Sequence, residues 1–255
     1  MAKRKMSFED MTPEEGRKFI GPNLNFAASE AYKRLRTNIS FSLPDRTKCK
    51  IIGVTSALKG EGKSTSSLNM AYTFAQTGQK VLLMECDLRL PTVAKRLAIH
   101  SKPGLSNLLA GQCSGNDVLQ RAALLDKVHV IVAGDIPPNP AELLASEQMQ
   151  QTMDALAQVF DVIIVDLPPV TVVADAAIAS KLVDGLVLVA RKDYCDKRAI
   201  ADTVGQLRFA NAKILGFVFT GAEPEKKRYK KYYKKNYDSY NKAGSKAEIK
   251  QSAEL

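Results

Sequence analysis

The chain has 255 residues, 45% of them apolar, and a formal net charge of +10 at pH 7. This length and composition favour one α/β domain with flexible ends over two domains. No run approaches the roughly 18 uncharged apolar residues of a membrane-spanning helix, and no apolar stretch follows the basic start as in a secretory signal. The four cysteines form no CxxC pair. We therefore expect a cytoplasmic protein without a disulfide framework or a zinc site.

Along the chain, short apolar runs alternate with segments of helical periodicity. Residues 1–25 are polar and contain two prolines and two glycines, which predicts a flexible leader. Helices are predicted over residues 29–42, 64–76, 105–110, 116–125, 140–160, 174–182 and 197–209. Strands are predicted over residues 50–55, 81–84, 129–132, 162–165, 185–190 and 214–219. This alternation predicts an α/β fold, a mostly parallel sheet with helices on both faces, which binds ligands where its strands end.

A phosphate-binding loop lies at residues 57–65, between the first predicted strand and the following helix. Gly60 and Gly62 free the backbone N–H groups to surround phosphate oxygens, and Lys63 would place a cation at the β- and γ-phosphates. The strict motif begins with glycine, whereas this loop begins with Ala57. The strand–loop–helix context nevertheless favours nucleotide binding over a glycine-rich turn that binds nothing. The predicted ATP-binding residues are Lys59, Gly60, Glu61, Gly62, Lys63, Ser64 and Thr65.

Three carboxylates follow predicted strands and are expected near this loop. Glu85 and Asp87 follow the second strand, and because side chains two apart on an extended segment point the same way, both should face the nucleotide. Asp166 follows an apolar strand, as in a Walker B motif, and should lie across from Ser64. The alternative for the acid pair is a solvated strand end. The predicted catalytic residues are Lys63, Glu85, Asp87 and Asp166, and the predicted Mg²⁺ ligands are Ser64, Asp87 and Asp166.

The last part of the chain, residues 222–255, is rich in lysine and tyrosine and predicts a disordered tail. Eight basic residues against one acid between Lys226 and Lys242 supply +7 of the net charge. Five of the eight tyrosines lie within twelve residues, where they could accept phosphoryl groups: Tyr229, Tyr232, Tyr233, Tyr237 and Tyr240. Nucleic-acid binding is a less favoured alternative, and contact with an anionic membrane surface is compatible with phosphorylation.

These motifs together resemble those of the bacterial tyrosine kinases of capsular and exopolysaccharide biosynthesis, the BY-kinases, which are related to the MinD/ParA branch of P-loop ATPases. The resemblance spans about residues 26–240 and includes the segments at 103–111 and 133–146. It implies a kinase domain over 26–221 that uses ATP and Mg²⁺ to phosphorylate tail tyrosines of another copy. It also implies a homo-oligomeric ring, other protein tyrosine substrates, and a transmembrane chain-length regulator that activates the chain and recruits it to the inner face of the membrane.

Three positions depart from the family pattern, and one of them is Lys59, which stands where the family usually has proline. Glu85 stands where the family usually has Asp, so its carboxylate reaches one methylene further. The family carries an ExxRxxR motif on its N-terminal helix, which the resemblance assigns to contacts between subunits. Here the motif is Glu30, Lys33 and Arg36, and Lys33 lacks the planar fork of arginine. A solvated charged helix face is the alternative for these three residues.

Two other functions remain open from the sequence. A partitioning or positioning ATPase of the ParA/MinD type would hydrolyse ATP without phosphorylating tyrosine, but its signature lysine would stand at Leu58 and is absent. The second open function is that of a regulatory protein that binds ATP and barely hydrolyses it. In that case Glu85, in place of the usual Asp, would reflect decay of the active site. Transfer of phosphate to tyrosine separates the kinase from both.

Overall fold

The computed structural model describes residues 12–44 and 49–222, and within them a seven-stranded sheet lies between two layers of helices. The strands are β1 (Lys50–Ser56), β2 (Val81–Glu85), β3 (Gln120–Arg121), β4 (Val128–Ile131), β5 (Val162–Asp166), β6 (Gly185–Arg191) and β7 (Ile214–Thr220). Their order is β3-β4-β2-β5-β1-β6-β7, and only the β3–β4 pair is antiparallel. The predicted fold class is confirmed.

Ten α-helices surround the sheet in the described part of the chain. They are α1 (Pro13–Arg17), α2 (Phe26–Ser42), α3 (Lys63–Ala75), α4 (Val93–Leu97), α5 (Leu105–Leu109), α6 (Gly115–Val118), α7 (Pro140–Leu144), α8 (Glu147–Ala157), α9 (Asp175–Ala179) and α10 (Lys197–Phe209). Side-chain oxygens of Asn25, Ser146 and Asp196 accept a backbone N–H in the first turns of α2, α8 and α10 and so cap these helices. None of the described helices has the length and apolar character needed to span a membrane.

The strands are apolar throughout because helices cover both faces of the sheet. In β2, for example, Leu83 points into a core formed with α2, α3 and α4, whereas Leu82 points into the core formed with α5, α7, α8, α9 and α10. The central strands β1, β2 and β5 run parallel, with Glu85 opposite Asp166. Their carboxyl ends therefore bring the phosphate loop, Asp87 and Asp166 to one edge of the sheet.

Two segments differ from the expectations. The helix expected over 116–125 is replaced by α6, strand β3 and a 3₁₀ turn, because Gln120 and Arg121 pair with β4. The leader expected to be flexible is ordered in its described part, residues 12–25. There Thr12 and Glu15 cap α1 reciprocally, and Ile20 is fully buried. One compact unit ends at Thr220, and of the second, Gly221–Leu255, only two residues are described.

Candidate active site

The phosphate loop between β1 and α3 has the backbone that its glycines predict. Gly60 and Gly62 have φ angles of +82° and +94°, in the left-handed region that favours glycine. Gly62 is the N-cap of the 13-residue helix α3. The residues that follow, Lys63, Ser64 and Thr65, are only 8%, 4% and 6% exposed. The site is thus a buried helix N-terminus, where unpaired N–H groups and the helix dipole favour an anion.

The outer side of the phosphate loop is fastened to the β6 and β7 side of the sheet. The carbonyl oxygens of residues 59–61 each accept a hydrogen bond from a side chain there. Tyr194 Oη donates to the first at 3.0 Å, Arg191 Nη1 to the second at 3.4 Å, and Thr220 Oγ1 to the third at 2.7 Å. In a planar trans peptide the N–H points away from the carbonyl. The N–H groups of residues 60–62 are therefore directed away from these three side chains.

Glu61 reinforces the same loop from inside. Its carboxylate is fully buried and accepts hydrogen bonds from the N–H groups of Leu58 at 2.7 Å and Arg191 at 3.2 Å. Its side chain is thus bound to the protein backbone. Glu61 is one of the predicted nucleotide-binding residues. Because its carboxylate is already hydrogen-bonded, only its backbone N–H can bind a phosphate.

Lys63 and Asp87 form a buried ion pair at the centre of the site. The distance from Lys63 Nζ to Asp87 Oδ2 is 2.7 Å, and the two side chains are 10% and 5% exposed. Asp87 Oδ1 accepts a hydrogen bond from the N–H of Leu90 at 3.1 Å. Burial would lower the pKa of Lys63, but the charges of Asp166 and Asp87 outweigh burial and raise it. Lys63 therefore keeps its charge at neutral pH.

Asp166 is fully buried and interacts electrostatically with Lys63. Its Oδ1 lies 3.0 Å from the Ser67 hydroxyl. Its Oδ2 has no hydrogen bond of normal geometry from any described residue, although the Ser64 hydroxyl lies beside the carboxylate. Burial raises the pKa of Asp166, and the Lys63 charge opposes this rise. A buried carboxylate oxygen beside a hydroxyl suits a hydrated cation, which supports Ser64 and Asp166 as predicted Mg²⁺ ligands.

Glu85 differs most from the expectation. Its carboxylate is fully buried and accepts hydrogen bonds from three backbone N–H groups, those of Thr92 and Val93 at Oε1 and that of Ala133 at Oε2. Burial raises its pKa to about 7, although these N–H groups favour the charged form. Glu85 is the last residue of β2, and the alternation of side chains fails where the strand ends. It therefore holds the backbone of two loops, and among the described residues it forms no ion pair with Lys63 of the kind that Asp87 forms.

A second ion pair ties the loop after β2 to α9. Arg89 Nε and Nη2 donate to the two carboxylate oxygens of Asp175 at 2.8 and 3.0 Å. Asp175 is buried as the first residue of α9, whereas Arg89 is partly exposed. The pair links the segment that carries Asp87 to the segment that follows Asp166.

The predicted subunit-contact residues make contacts within the chain. Lys33 Nζ lies 2.8 Å from Glu30 Oε1 on the same helix. Arg36 Nη1 donates to the carbonyl of Thr73 at 2.7 Å and so fastens α2 to α3. Contacts between subunits remain a prediction for these residues. The five predicted phosphorylation sites, Tyr229, Tyr232, Tyr233, Tyr237 and Tyr240, lie outside the described residues.

The chain is similar to known proteins over most of its length. Residues 49–200 match the family described as AAA domain. The chain is 39% identical over 205 residues to tyrosine-protein kinase YwqD of Bacillus subtilis (strain 168), covering 80% of this chain and 86% of that protein. It is 33% identical over 205 residues to putative tyrosine-protein kinase CapB of Staphylococcus aureus, covering 80% and 89%.

Solved structures show the same relationship. The kinase domain of Escherichia coli tyrosine kinase ETK has a TM-score of 0.74 and 33% identity, covering 78% of this chain and 77% of that one. The Mg-ADP complex of the septum site-determining protein MinD from Pyrococcus horikoshii OT3 has a TM-score of 0.57 and 23% identity, covering 70% and 75%. The likeness to MinD concerns the fold alone.

Proposed function

The chain belongs to the bacterial tyrosine-protein kinases, and we propose that its main phosphate acceptor is the tyrosine cluster of residues 229–240 on another copy. The chain is a tyrosine kinase rather than a ParA/MinD-type positioning ATPase, since its similarity to MinD is confined to the fold. Modification of the cluster is proposed to regulate capsule or exopolysaccharide synthesis and export.

One observation carries the assignment of the nucleotide site: the buried Lys63–Asp87 ion pair at the N-terminus of α3. In other proteins this arrangement of loop, helix and lysine binds nucleotide phosphates. On ATP binding, Lys63 would exchange the Asp87 carboxylate for phosphate oxygens. The N–H groups of residues 60–62 point away from Tyr194, Arg191 and Thr220, which hold the neighbouring carbonyls, and would donate to the same phosphates.

Mg²⁺ would be held by Asp166 and Ser64, with Asp87 as the third predicted ligand once Lys63 has left it. When bound, the ion neutralises charge on the transferring phosphoryl group. Among the described residues no three His, Cys, Asp or Glu side chains converge to hold a metal by themselves. This agrees with Mg²⁺, which keeps several waters and shares its coordination between one or two carboxylates and substrate phosphates.

Asp87 is the carboxylate that we assign to orienting the acceptor. The phenolic oxygen attacks the γ-phosphorus, the bond from that phosphorus to the β–γ bridging oxygen breaks, and ADP leaves with the released electron pair. The phenolic proton passes to a carboxylate oxygen of Asp87. The second oxygen of Asp87, Oδ1, accepts a hydrogen bond from the N–H of Leu90 and has a further lone pair that would face the metal. We assign Glu85 no part in this step, because among the described residues its carboxylate accepts hydrogen bonds only from backbone N–H groups.

Phosphorylation would reverse the charge of the tail. Each phosphotyrosine adds about −1.5 to −2 at pH 7, so five would add about −8 to −10 to a segment near +7. An unmodified tail would favour acidic protein or membrane surfaces, and a modified tail would leave them. We place the chain in the cytoplasm, in a homo-oligomeric ring recruited to the membrane by a transmembrane activator, with Glu30, Lys33 and Arg36 at the subunit contacts and with further proteins as tyrosine substrates.

The direct test is to map phosphotyrosine by mass spectrometry after incubating the purified chain with Mg²⁺ and ATP. The reaction is run with and without the cytoplasmic segment of a candidate activator, and with Lys63→Met as the control. Label at residues 229–240 that is absent from the control is the expected result. ATP hydrolysis without label in the presence of activator would contradict the proposed acceptor.

A further inference from the structure

A groove of about 540 Å³ lies at the carboxyl end of β4, outside the nucleotide site. Its apolar lining includes Ile136, Pro137, Pro138 and Leu143, all between β4 and the end of α7. The other side is formed by α5 and the residues that follow it. No step described above for ATP or Mg²⁺ uses this groove.

The groove begins next to the strand that leads to Asp87. The N–H of Ala133 donates to Glu85 Oε2 at 3.2 Å, and the loop that lines the groove starts directly after Ala133. Because β4 and β2 are neighbours in the sheet, their ends lie about 5 Å apart. A peptide lying in the groove would thus reach the Asp87 side of the active site within a few residues.

The lining combines an exposed apolar surface with acidic and polar groups. Ile136 is 65% exposed, and a large apolar side chain this exposed beside two prolines can contact a binding partner. Glu142 is exposed, and Asp135 pairs with Lys102 and accepts from Asn107. Ser106 is 4% exposed, and its hydroxyl has no hydrogen-bond partner among the described residues. A ligand with flat apolar groups and positive charges would fit such a surface.

The charge distribution of the chain identifies a ligand of this chemistry. Two acids line the groove, Asp135 and Glu142, and they belong to a stretch, residues 128–180, that contains neither lysine nor arginine, although the chain as a whole is strongly basic. Residues 226–240 contain seven basic residues, one acid and five tyrosines. We propose that the groove binds residues 226–240 of a second copy. The tyrosine rings of that segment lie against Ile136, Pro137 and Pro138 of the groove, and its lysines lie beside Glu142. This inference rests on the proposed function and names the docking site of its acceptor.

The decisive experiment separates the copy that acts as enzyme from the copy that acts as substrate. The enzyme copy has its five tail tyrosines changed to Phe, and the substrate copy is full-length Lys63→Met. Placing Glu142→Lys in the enzyme copy should lower the initial rate of tail labelling about threefold to tenfold, by replacing attraction with repulsion. The same substitution in the substrate copy should leave the rate unchanged. Equal rates in all mixtures, or an equal loss from either placement, would overturn the groove assignment.

A synthetic peptide of residues 226–240 gives a second readout. With this peptide, Glu142→Lys and Ile136→Ser in the full chain should raise the KM for peptide about threefold to tenfold and leave the KM for ATP unchanged. Two exposed positions outside the groove provide matched controls, Asp154→Lys on α8 and Val172→Ser after β5. If the wild-type chain labels the peptide and the groove variants match their controls, the groove is refuted and the proposed function stands. If the wild-type chain labels neither peptide nor tail, the proposed function fails, and the groove assignment fails with it.

Discussion

The phosphate loop and the groove beside β4 lie at the same edge of the sheet, but they differ in how far their groups are already fixed by contacts within the protein. On the loop, three successive carbonyls and a buried carboxylate already have partners within the protein. In the groove, the Ser106 hydroxyl has none among the described residues, and Ile136 is exposed. A small, invariant ligand such as a triphosphate suits a rigid loop. A peptide with several alternative tyrosines suits a surface whose contacts form only on binding.

Among the predictions for the phosphate loop, removal of the Lys63 charge has the largest expected effect. Lys63→Met should reduce the initial rate of tyrosine phosphorylation about 10²–10³-fold, as for the loss of one group that stabilises the transition state. It also leaves Asp87 and Asp166 buried without their cation, which should lower the free energy of unfolding by about 3–5 kcal/mol. Kinetic labelling and urea unfolding measure the two effects.

A folded Lys63→Met protein that still labels tyrosine at more than about one tenth of the wild-type rate would contradict the assigned role of Lys63. Circular dichroism at the assay temperature is the necessary control for folding. Lys59→Met removes a lysine charge from the same loop without touching the ion pair with Asp87, and should cost far less activity.

The backbone of the loop can be tested with two glycines that share a conformation. Gly62 and Gly78 have φ angles of +94° and +83°, and alanine at either position costs about 1–2 kcal/mol of stability. A Cβ at Gly62 would also meet Thr220 at 3.3 Å, whereas one at Gly78 meets nothing within 4 Å. Gly62→Ala should therefore raise the KM for ATP about tenfold through displacement of the loop.

Gly78→Ala is the matched control, because it introduces the same backbone strain far from any phosphate. It should show a similar loss of stability with an unchanged KM for ATP. If both variants change the KM equally, strain in the fold as a whole, and not the loop, determines nucleotide binding.

Glu85 allows a test by pH. Its pKa is about 7 in the folded chain and 4.5 in the reference state, so the unfolded chain ionises first as pH rises. The contribution of this group to the free energy of unfolding is complete below about pH 4.5. It falls by about 3 kcal/mol between about pH 4.5 and pH 7 and changes little at higher pH. Glu85→Gln cannot ionise, so the difference in unfolding free energy between wild type and variant should shrink over that interval.

At pH 5 the variant should be less stable by about 1–3 kcal/mol, because its amide –NH₂ would oppose the N–H of Ala133. Urea unfolding at several pH values measures this difference. Tyrosine labelling by Glu85→Gln should stay within about tenfold of wild type, since Glu85 holds loops and does not touch the acceptor. A loss comparable to that of Lys63→Met would instead place Glu85 in the chemistry.

The sequence predicted those parts of the site that depend on local spacing. The strand–loop–helix order placed Lys63, and the strand ends placed Asp87 and Asp166, and the structure brings these three together. The contacts that fasten the loop to the β6 and β7 side of the sheet join residues 130 or more positions apart, such as Tyr194 with Lys59 and Arg191 with Glu61. No periodicity carries that information. The groove escaped prediction for a related reason, since its two sides come from separate segments.

The smallest expected effect concerns one of those distant contacts. Tyr194→Phe removes only the hydroxyl that donates to the carbonyl of Lys59, and leaves the ring beside the Arg191 guanidinium, 5.5 Å from its centroid. One hydrogen bond of about 1 kcal/mol corresponds to a KM for ATP raised about threefold to fivefold, with kcat nearly unchanged. Tyr72→Phe, on α3, is the matched control. An unchanged KM in Tyr194→Phe would mean that Arg191 and Thr220 suffice to orient the loop, and a fall in kcat alone would place Tyr194 nearer the transferred phosphate than the structure does.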